Sequence, residues 1–357
     1  MESAKRILTE GSRLELSSKL ESHLNSRARD IYRRSSDLCK NQVTQIDKIT
    51  REYLLSEGID LSEVCFVAVG SVGRGEALDA SDIDLIPVLR SDKSFDLFSK
   101  HDQIIRELVS KKLGIKVSKG HDLTSSVCIH QLVDSESIGG DKDDSSSLTK
   151  RILILTEGAH AGGDFKLLDI RKKILEAYSE NERTRGRHVL SLCNDLARYY
   201  RTLCIEYKAK VDIEGKDWCT RNLKLRHSRK LWYFSSMISV ASLANSHPDG
   251  ESSYVDGLLQ SFELTPALRL FFSTDAGQHV YVGRALNRFA WFLGFMAEKK
   301  HRDELAKIVH ANRYSIAIDN PFPMMKLNSD QMHSELIRII ESLDIYMKQR
   351  IYDWFLL

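Results

Sequence analysis

Two aspartates separated by a single residue, Asp82 and Asp84, are the clearest sign of chemistry in this sequence. They open an apolar run, Ile83 to Leu89, that predicts a β-strand, and alternate side chains of a strand point to the same face. Two adjacent carboxylates repel each other unless a cation lies between them. Because Mg²⁺ prefers oxygen ligands and leaves coordination positions for substrate phosphates, the pair is a candidate magnesium site.

A glycine-serine turn comes before the aspartate pair. Gly70 and Ser71 directly follow a second apolar run, Val64 to Val69, which predicts another strand. A turn of small residues exposes backbone N–H groups, and Ser71 adds a hydroxyl, so the turn can bind phosphate. Together, the turn and the carboxylates indicate metal-dependent phosphoryl or nucleotidyl transfer.

The segment GSVGRGEALDASDIDL, residues 70–85, resembles the signature of the DNA polymerase beta-like nucleotidyltransferase superfamily. Its G-R-G-E portion is most similar to the nucleotidyltransferase domain of bacterial PII-protein uridylyltransferases and their uncharacterised relatives. In those relatives a similar domain precedes a helical substrate-binding region.

The resemblance implies roles for the matching residues. Gly70 and Ser71 would hold the phosphates of a nucleoside triphosphate (NTP), with ATP among the candidates. Asp82 and Asp84 would bind two Mg²⁺ ions, which align an acceptor hydroxyl with the α-phosphate and neutralise developing charge.

Three further residues receive roles from the same resemblance. Arg74 would pair with a phosphate through its guanidinium group, and Ser81 is a further nucleotide-binding candidate that would orient the loop. The superfamily usually adds a third carboxylate from a later strand, and Asp122 is the first candidate for this catalytic position. The alternative carboxylates are those of Asp134, Asp143 and Asp144.

The favoured reaction is the transfer of a nucleoside monophosphate (NMP) from an NTP to a hydroxyl of a protein, RNA or small-molecule acceptor. Without a third carboxylate, the same fold would serve as a nucleotide-binding regulatory module that does not turn its ligand over. A third hypothesis is a ribonuclease in the helical region, because Arg221 and His227 match the loose Arg-His spacing of HEPN ribonucleases.

A basic stretch, Arg198 to Lys230, is open to two interpretations. Its cations could cover the solvated faces of helices whose apolar residues form a core. Alternatively, they could line a cleft and bind triphosphate or the RNA backbone.

The expected fold is α+β: a small mixed-sheet nucleotidyltransferase core with N-terminal helices and a C-terminal helical bundle. We expect an N-terminal helical extension over 1–60, the nucleotidyltransferase core over 61–165 and a helical substrate-binding domain over 166–357. An exposed acidic loop is predicted at 139–147. Strands are predicted at Val64–Val69, Ile83–Leu89, Ile115–Val117, Ser126–Ile129 and Ile152–Leu155. Helices are predicted over 10–57, 95–113, 166–180, 184–212, 221–245, 255–262, 275–300, 302–311 and 330–355.

Composition, charge and cysteine pattern indicate the cellular compartment and the partners to expect. The chain has 357 residues and a net charge of only +2, which argues neither for nor against a nucleic-acid partner. Its six cysteines show no C-x-x-C motif and no histidines at zinc-finger spacing, a pattern typical of reduced thiols in the cytosol. No apolar run reaches the length of a signal peptide or a membrane span, so a cytoplasmic protein without a membrane partner is expected. Oligomeric state is left open.

Overall fold

The computed structural model describes residues 10–79, 81–120, 122–134, 136–140, 143–180, 189–213, 217–246, 252–308, 316 and 320–355. These residues form many helices and one four-stranded mixed sheet, which confirms the predicted α+β class. Across these ranges, every helix is too short or too polar to span a lipid bilayer.

The sheet is built around a central apolar strand. Its strands are β1 (Val64–Val69), β2 (Asp84–Leu89), β3 (Val127–Cys128) and β4 (Ala159–Gly162), in the spatial order β3-β2-β1-β4. Strand β1 runs antiparallel to β2 and β4, whereas β2 and β3 are parallel. All six residues of β1 are buried, which explains why its sequence is continuously apolar rather than alternating.

The helices account for most of the remaining described residues. In chain order they are α1 (Glu10–Ser22), α2 (Ser26–Ser56), α3 (Gly70–Gly73), α4 (Asp92–Phe98), α5 (Asp102–Leu113), α6 (Ile129–Leu132), α7 (Ser145–Thr156), α8 (Leu167–Glu180), α9 (Leu190–Asp212), α10 (Trp218–Lys224), α11 (Lys230–Ser246), α12 (Ser252–Phe262), α13 (Pro266–Phe272), α14 (His279–Ala297), α15 (Lys299–Ala306), α16 (Pro321–Glu341) and α17 (Ile345–Phe355). A π-helical turn, Leu225–Arg229, separates α10 from α11.

The chain separates into two compact units. One unit contains the whole sheet and consists of Arg34–Asp195 and His247–Thr265. The other is helical and consists of Met1–Arg33, Leu196–Ser246 and Pro266–Leu357. Helices α2 and α9 each contribute residues to both units. The three domains expected from the sequence stay a prediction.

The core of the sheet-containing unit joins α2 to the strands. Ile46 and Leu54 of α2 belong to the same buried cluster as Phe66 of β1 and Leu85 of β2. Helix α2 is followed by Gly58, which adopts a φ of 68°, in the left-handed region that suits a helix C-terminus. The amide of the next residue donates to the carbonyl of Leu54 at 2.9 Å.

Several predicted elements differ from the structure. The strand predicted at Ile152–Leu155 is wrong, since these residues lie in α7, where every residue from Leu148 to Thr156 is buried. A short apolar run fits a fully buried helix as well as a strand. The strand predicted at Ile115–Val117 reduces to one parallel bridge between Ile83 and Val117. The predicted helix over 95–113 is divided into α4 and α5, and β4 was not predicted.

Two further expectations concern the acidic loop and the ends of two helices. The loop predicted as exposed at 139–147 contains Asp143, which is buried, and α7 begins within it at Ser145. Parts of two predicted helices, 184–188 and 309–311, lie outside the described residues.

Candidate nucleotide and metal site

The turn after β1 and the start of β2 form the candidate site. Pairing of β1 with β2 places Val69 opposite Asp84, so the next residue, Gly70, lies beside the Asp84 carboxylate. Gly70 has a φ of 69°, and a Cβ at this position would stand 2.9 Å from Asp84 Oδ2. Glycine is therefore required both for the backbone conformation and for the close approach of the carboxylate.

The turn itself is packed tightly against its surroundings. A Cβ on Gly73 would lie 2.5 Å from the Ala68 carbonyl oxygen and 2.0 Å from that of Glu157, so only glycine fits. The Glu76 amide donates to the Ser71 carbonyl at 2.8 Å and closes the turn. Ser71 itself is half-buried. The Gly-Ser segment is thus held rigidly at the end of β1.

Asp82 and Asp84 flank Ile83, which is fully buried. Neighbouring residues of an extended segment point to opposite faces, so an extended segment here would place both carboxylates on the face away from the core. The Asp82 side chain is 58% exposed, and Asp84 is half-buried. Two oxygen donors on one face beside a glycine turn suit a hard divalent cation such as Mg²⁺.

A later segment runs alongside the aspartate pair. The Ile83 amide donates to the Lys116 carbonyl, and the Ser118 amide donates to the Ile83 carbonyl, both at 2.9 Å. Lys116 Nζ lies 3.7 Å from Asp82 Oδ2. Residues 115–118 are Ile-Lys-Val-Ser, so this neighbouring segment contributes an ammonium group and a hydroxyl but no third carboxylate.

Four carboxylates are candidates for the third position in the predicted site. Asp122 begins a single-turn 3₁₀ helix, Asp122–Thr124, and its catalytic role stays a prediction. The three alternatives have local structural partners. Asp143 forms a buried ion pair with Arg151, Asp144 accepts the Ser146 and Ser147 amides at the start of α7, and Asp134 accepts the Glu136 amide.

Arg74 is buried within an ion-pair network. Its Nε donates to Glu76 Oε2 at 2.8 Å, and its Nη1 donates to Glu157 Oε2. Burial alone would lower the pKa of Arg74, but the Glu157 and Glu76 carboxylates outweigh that effect and raise the pKa. The guanidinium group predicted to bind phosphate thus holds the glycine turn against the residue that follows α7.

Ser81 shapes the loop between the turn and β2. Its hydroxyl accepts the Leu78 amide at 2.9 Å, and its own amide donates to the Leu78 carbonyl at 2.8 Å. These bonds orient the chain immediately before Asp82. A direct contact between Ser81 and a nucleotide stays a prediction.

Arg106 is a positioning residue that sequence reasoning missed. Its buried guanidinium donates to the carbonyls of Leu85, Ser118 and Thr124 at 3.2, 3.0 and 2.8 Å. It also pairs with Asp102 at 2.8 Å, one helical turn earlier. The i,i+4 Asp-Arg spacing was the available sequence signal, although such pairs are common on solvated helix faces.

The histidine of the ribonuclease hypothesis lies in the core of the helical unit. His227 is fully buried within the π-helical turn and stacks on Phe292, with ring centroids 4.2 Å apart. Its Nδ1 lies 2.8 Å from the Leu223 carbonyl, and its Nε2 lies 3.2 Å from the Asn328 amide nitrogen. Burial lowers the pKa of His227 to about 3. Both ring nitrogens lie within hydrogen-bonding distance of neighbouring protein groups. This arrangement gives His227 a structural role.

Comparison with known families agrees with this geometry. Residues 48–123 match the nucleotidyltransferase domain family, a range that includes the glycine turn and both aspartates. This match supports the resemblance to the polymerase beta-like superfamily over these residues. Comparisons with curated proteins and with solved structures give no match. The closer likeness to PII-protein uridylyltransferases stays a prediction.

Proposed function

We propose that the protein transfers an NMP from an NTP to an acceptor hydroxyl and releases pyrophosphate, with Asp82 and Asp84 holding Mg²⁺. The close approach of Asp84 to Gly70 is the observation that carries this proposal. It brings an oxygen ligand for a cation next to a backbone turn of the kind that binds phosphate groups. The match of residues 48–123 to the nucleotidyltransferase domain family supports the same reaction class.

The protein contributes mainly by fixing these groups in place. Asp84 belongs to β2, whose pairing with β1 sets its distance from the turn. Arg74 and Gly73 hold the turn against Glu157, so the phosphate-binding backbone is already ordered before the NTP arrives. When bound, Mg²⁺ would neutralise charge on the reacting phosphate. Pre-ordered ligands of this kind reduce the reorganisation needed in the transition state.

Labelling tests the reaction and identifies the acceptor. The protein is incubated with Mg²⁺, total cell lysate and each of the four NTPs labelled at the α-phosphate. We expect label in a protein, RNA or small-molecule fraction, together with pyrophosphate release. Asp82→Asn and Asp84→Asn should each lower the rate at least about 100-fold, since losing a metal ligand exceeds the cost of losing a supporting residue.

Asp79→Asn is the matched control for these variants. Asp79 is an acid of the same loop, but its carboxylate pairs with Arg34 at an exposed position. Labelling by the Asp79 variant should stay at the wild-type level. Equal labelling by wild type and the Asp84 variant would contradict the proposed site.

A second candidate function is nucleotide binding without turnover. It is favoured by the segment beside the aspartates, residues 115–118, which carries Lys116 and Ser118 but no carboxylate. In that case calorimetry detects NTP binding that depends on Asp84, while no pyrophosphate forms with any of the four nucleotides. Pyrophosphate release above the level of the Asp84 variant would exclude this alternative.

A further inference from the structure

A second set of metal-ligating side chains lies at the other end of β2. Asp92, Cys128 and His130 each place a ligand atom within 4.8 Å of the other two. The His130 Nε2 atom is 3.6 Å from Asp92 Oδ1. Among the residues that the structure describes, no other three His, Cys, Asp or Glu side chains meet this closely.

The sheet topology explains why these residues converge. Strands β2 and β3 are parallel, with Leu89 paired to Cys128, so both strands end at the same edge of the sheet. Asp92 begins α4 shortly after β2, whereas Cys128 ends β3 and His130 lies in the following α6. The ligands therefore come from the start of α4 and from the junction of β3 with α6, which the parallel pairing of β2 and β3 holds side by side.

We propose that Asp92, Cys128 and His130 bind one Zn²⁺ ion, with solvent as the fourth ligand. A thiolate, an imidazole and a carboxylate are the donor types that zinc takes in proteins, whereas Mg²⁺ does not take thiolate. Tetrahedral coordination requires ligand atoms about 3.5 Å apart, close to the distance already seen between His130 and Asp92. This site is independent of the proposed nucleotidyl transfer.

Exposure of the ligands fits an ion that enters from solvent. The Cys128 side chain is buried, while the side chains of Asp92 and His130 are 81% and 56% exposed. The two exposed groups can rotate to close around an ion that Cys128 holds from the protein side. On binding, Cys128 releases its thiol proton to solvent and gives up its hydrogen bond to the Ser91 carbonyl.

The site is separate from the aspartate pair. Asp84 and Leu89 mark the two ends of β2, which puts about 17 Å of strand between them. An ion at the second site would connect the start of α4 to the junction of β3 with α6, and so stabilise this edge of the sheet. It would not contact a nucleotide bound beside Gly70.

Cobalt substitution gives a direct test on the full-length protein. After removal of bound metal with a chelator, one equivalent of Co²⁺ should produce the near-ultraviolet absorption of a sulfur-cobalt bond and the visible bands of tetrahedral cobalt. Zn²⁺ should displace it with a stoichiometry of one ion per chain. Cobalt bound at Asp82 and Asp84 has no sulfur ligand, so the absorption distinguishes the two sites.

Variants and matched controls decide the ligand set. Cys128→Ser should abolish the sulfur-cobalt band, and His130→Gln or Asp92→Asn should weaken Zn²⁺ binding at least about 100-fold. Because His130 and Asp92 are exposed, their variants should fold even if the Cys128 variant does not. The control Cys204→Ser, in α9, should leave binding unchanged. Absence of the sulfur-cobalt band in wild type, or unchanged Zn²⁺ affinity in the His130 variant, would overturn the proposal.

Discussion

The carboxylate of Asp84 lies so close to the Cα of Gly70 that a single added methyl group would come within 2.9 Å of Oδ2. This relationship joins the end of β1 to the start of β2. Substitution of Gly70 can therefore separate an effect on the site from an effect on the backbone.

Replacing Gly70 with alanine should damage the site more than the fold. Gly70→Ala forces a Cβ into the left-handed region, at about 1–2 kcal/mol, and also displaces Asp84. Gly58→Ala is the matched control, because Gly58 has nearly the same φ, 68°, with no atom within 4 Å of its added Cβ. Misplacing a catalytic group by about 1 Å can cost about 100-fold in rate. We therefore expect similar losses of thermal stability in both variants but loss of NTP binding or labelling only at Gly70.

Removing Arg74 should destabilise the sheet-containing unit strongly. Arg74→Met would leave the Glu76 and Glu157 carboxylates close together without their cation, in a site where all three side chains are at least 95% buried. Breaking a buried ion pair in this way costs about 3–5 kcal/mol. Urea unfolding would measure the loss. The exposed counterpart, Arg34→Met, should cost at most about 1 kcal/mol.

A double variant distinguishes charge from packing in the same network. Adding Glu157→Gln to Arg74→Met removes one uncompensated buried charge and should recover part of the lost unfolding free energy. Additive losses in the double variant would mean that the network acts through packing alone.

Removing the Lys116 ammonium should strengthen metal binding modestly. Lys116 Nζ lies 3.7 Å from Asp82 Oδ2, but both side chains are largely exposed, so the pair is weak. Lys116→Met should raise Mg²⁺ affinity by no more than about fivefold, as measured by the Mg²⁺ dependence of NTP binding. Lys119→Met, a nearby cation, is the control. Weaker Mg²⁺ binding in the Lys116 variant would instead assign the ammonium group to the nucleotide phosphates.

His227 should make the protein less stable in mild acid. Its folded pKa is lowered to about 3 by burial, with Lys230 and Arg226 acting in the same direction, against 6.5 for an ordinary histidine. Below pH 6.5 the unfolded chain therefore binds a proton that the folded chain does not, and stability falls as the pH falls. Between pH 7.5 and pH 5 this residue should remove about 2 kcal/mol of unfolding free energy.

The pH dependence is tested by comparing denaturant unfolding of wild type and His227→Phe at both pH values. The other histidines contribute equally to the two proteins. The difference between their changes in unfolding free energy with pH therefore reports the contribution of His227. The same change of unfolding free energy with pH in wild type and variant would contradict the burial of a neutral imidazole.

The central part of the site could be predicted because its signals are local. Strand β1 has the bounds expected from its apolar run, and the spacing of Asp82 and Asp84 requires only the two-residue period of an extended chain. Gly58, just after α2, likewise marks the end of that helix through its own residue type. In each case the physical cause lies within a few residues of its effect.

Contacts between distant residues could not be predicted in this way. Nothing near Arg74 indicates that Glu157, which is 83 positions later, neutralises it. Strand β4, with the sequence Ala-His-Ala-Gly, has weak strand propensity and forms because β1 offers it an edge. Cys128 and His130 meet Asp92 only through the parallel pairing of β2 and β3, so no cysteine-histidine spacing shows the cluster.

Strand β2 can also be used as a molecular ruler. Its six residues run from Asp84 to Leu89, three positions before Asp92. All six pair with β1, and Val88 and Leu89 also pair with β3. A paramagnetic ion held at the Asp92 end would therefore sit at a nearly constant span from the glycine turn. Relaxation of ligand nuclei could then report the arrival and orientation of a nucleotide without any label on the turn itself.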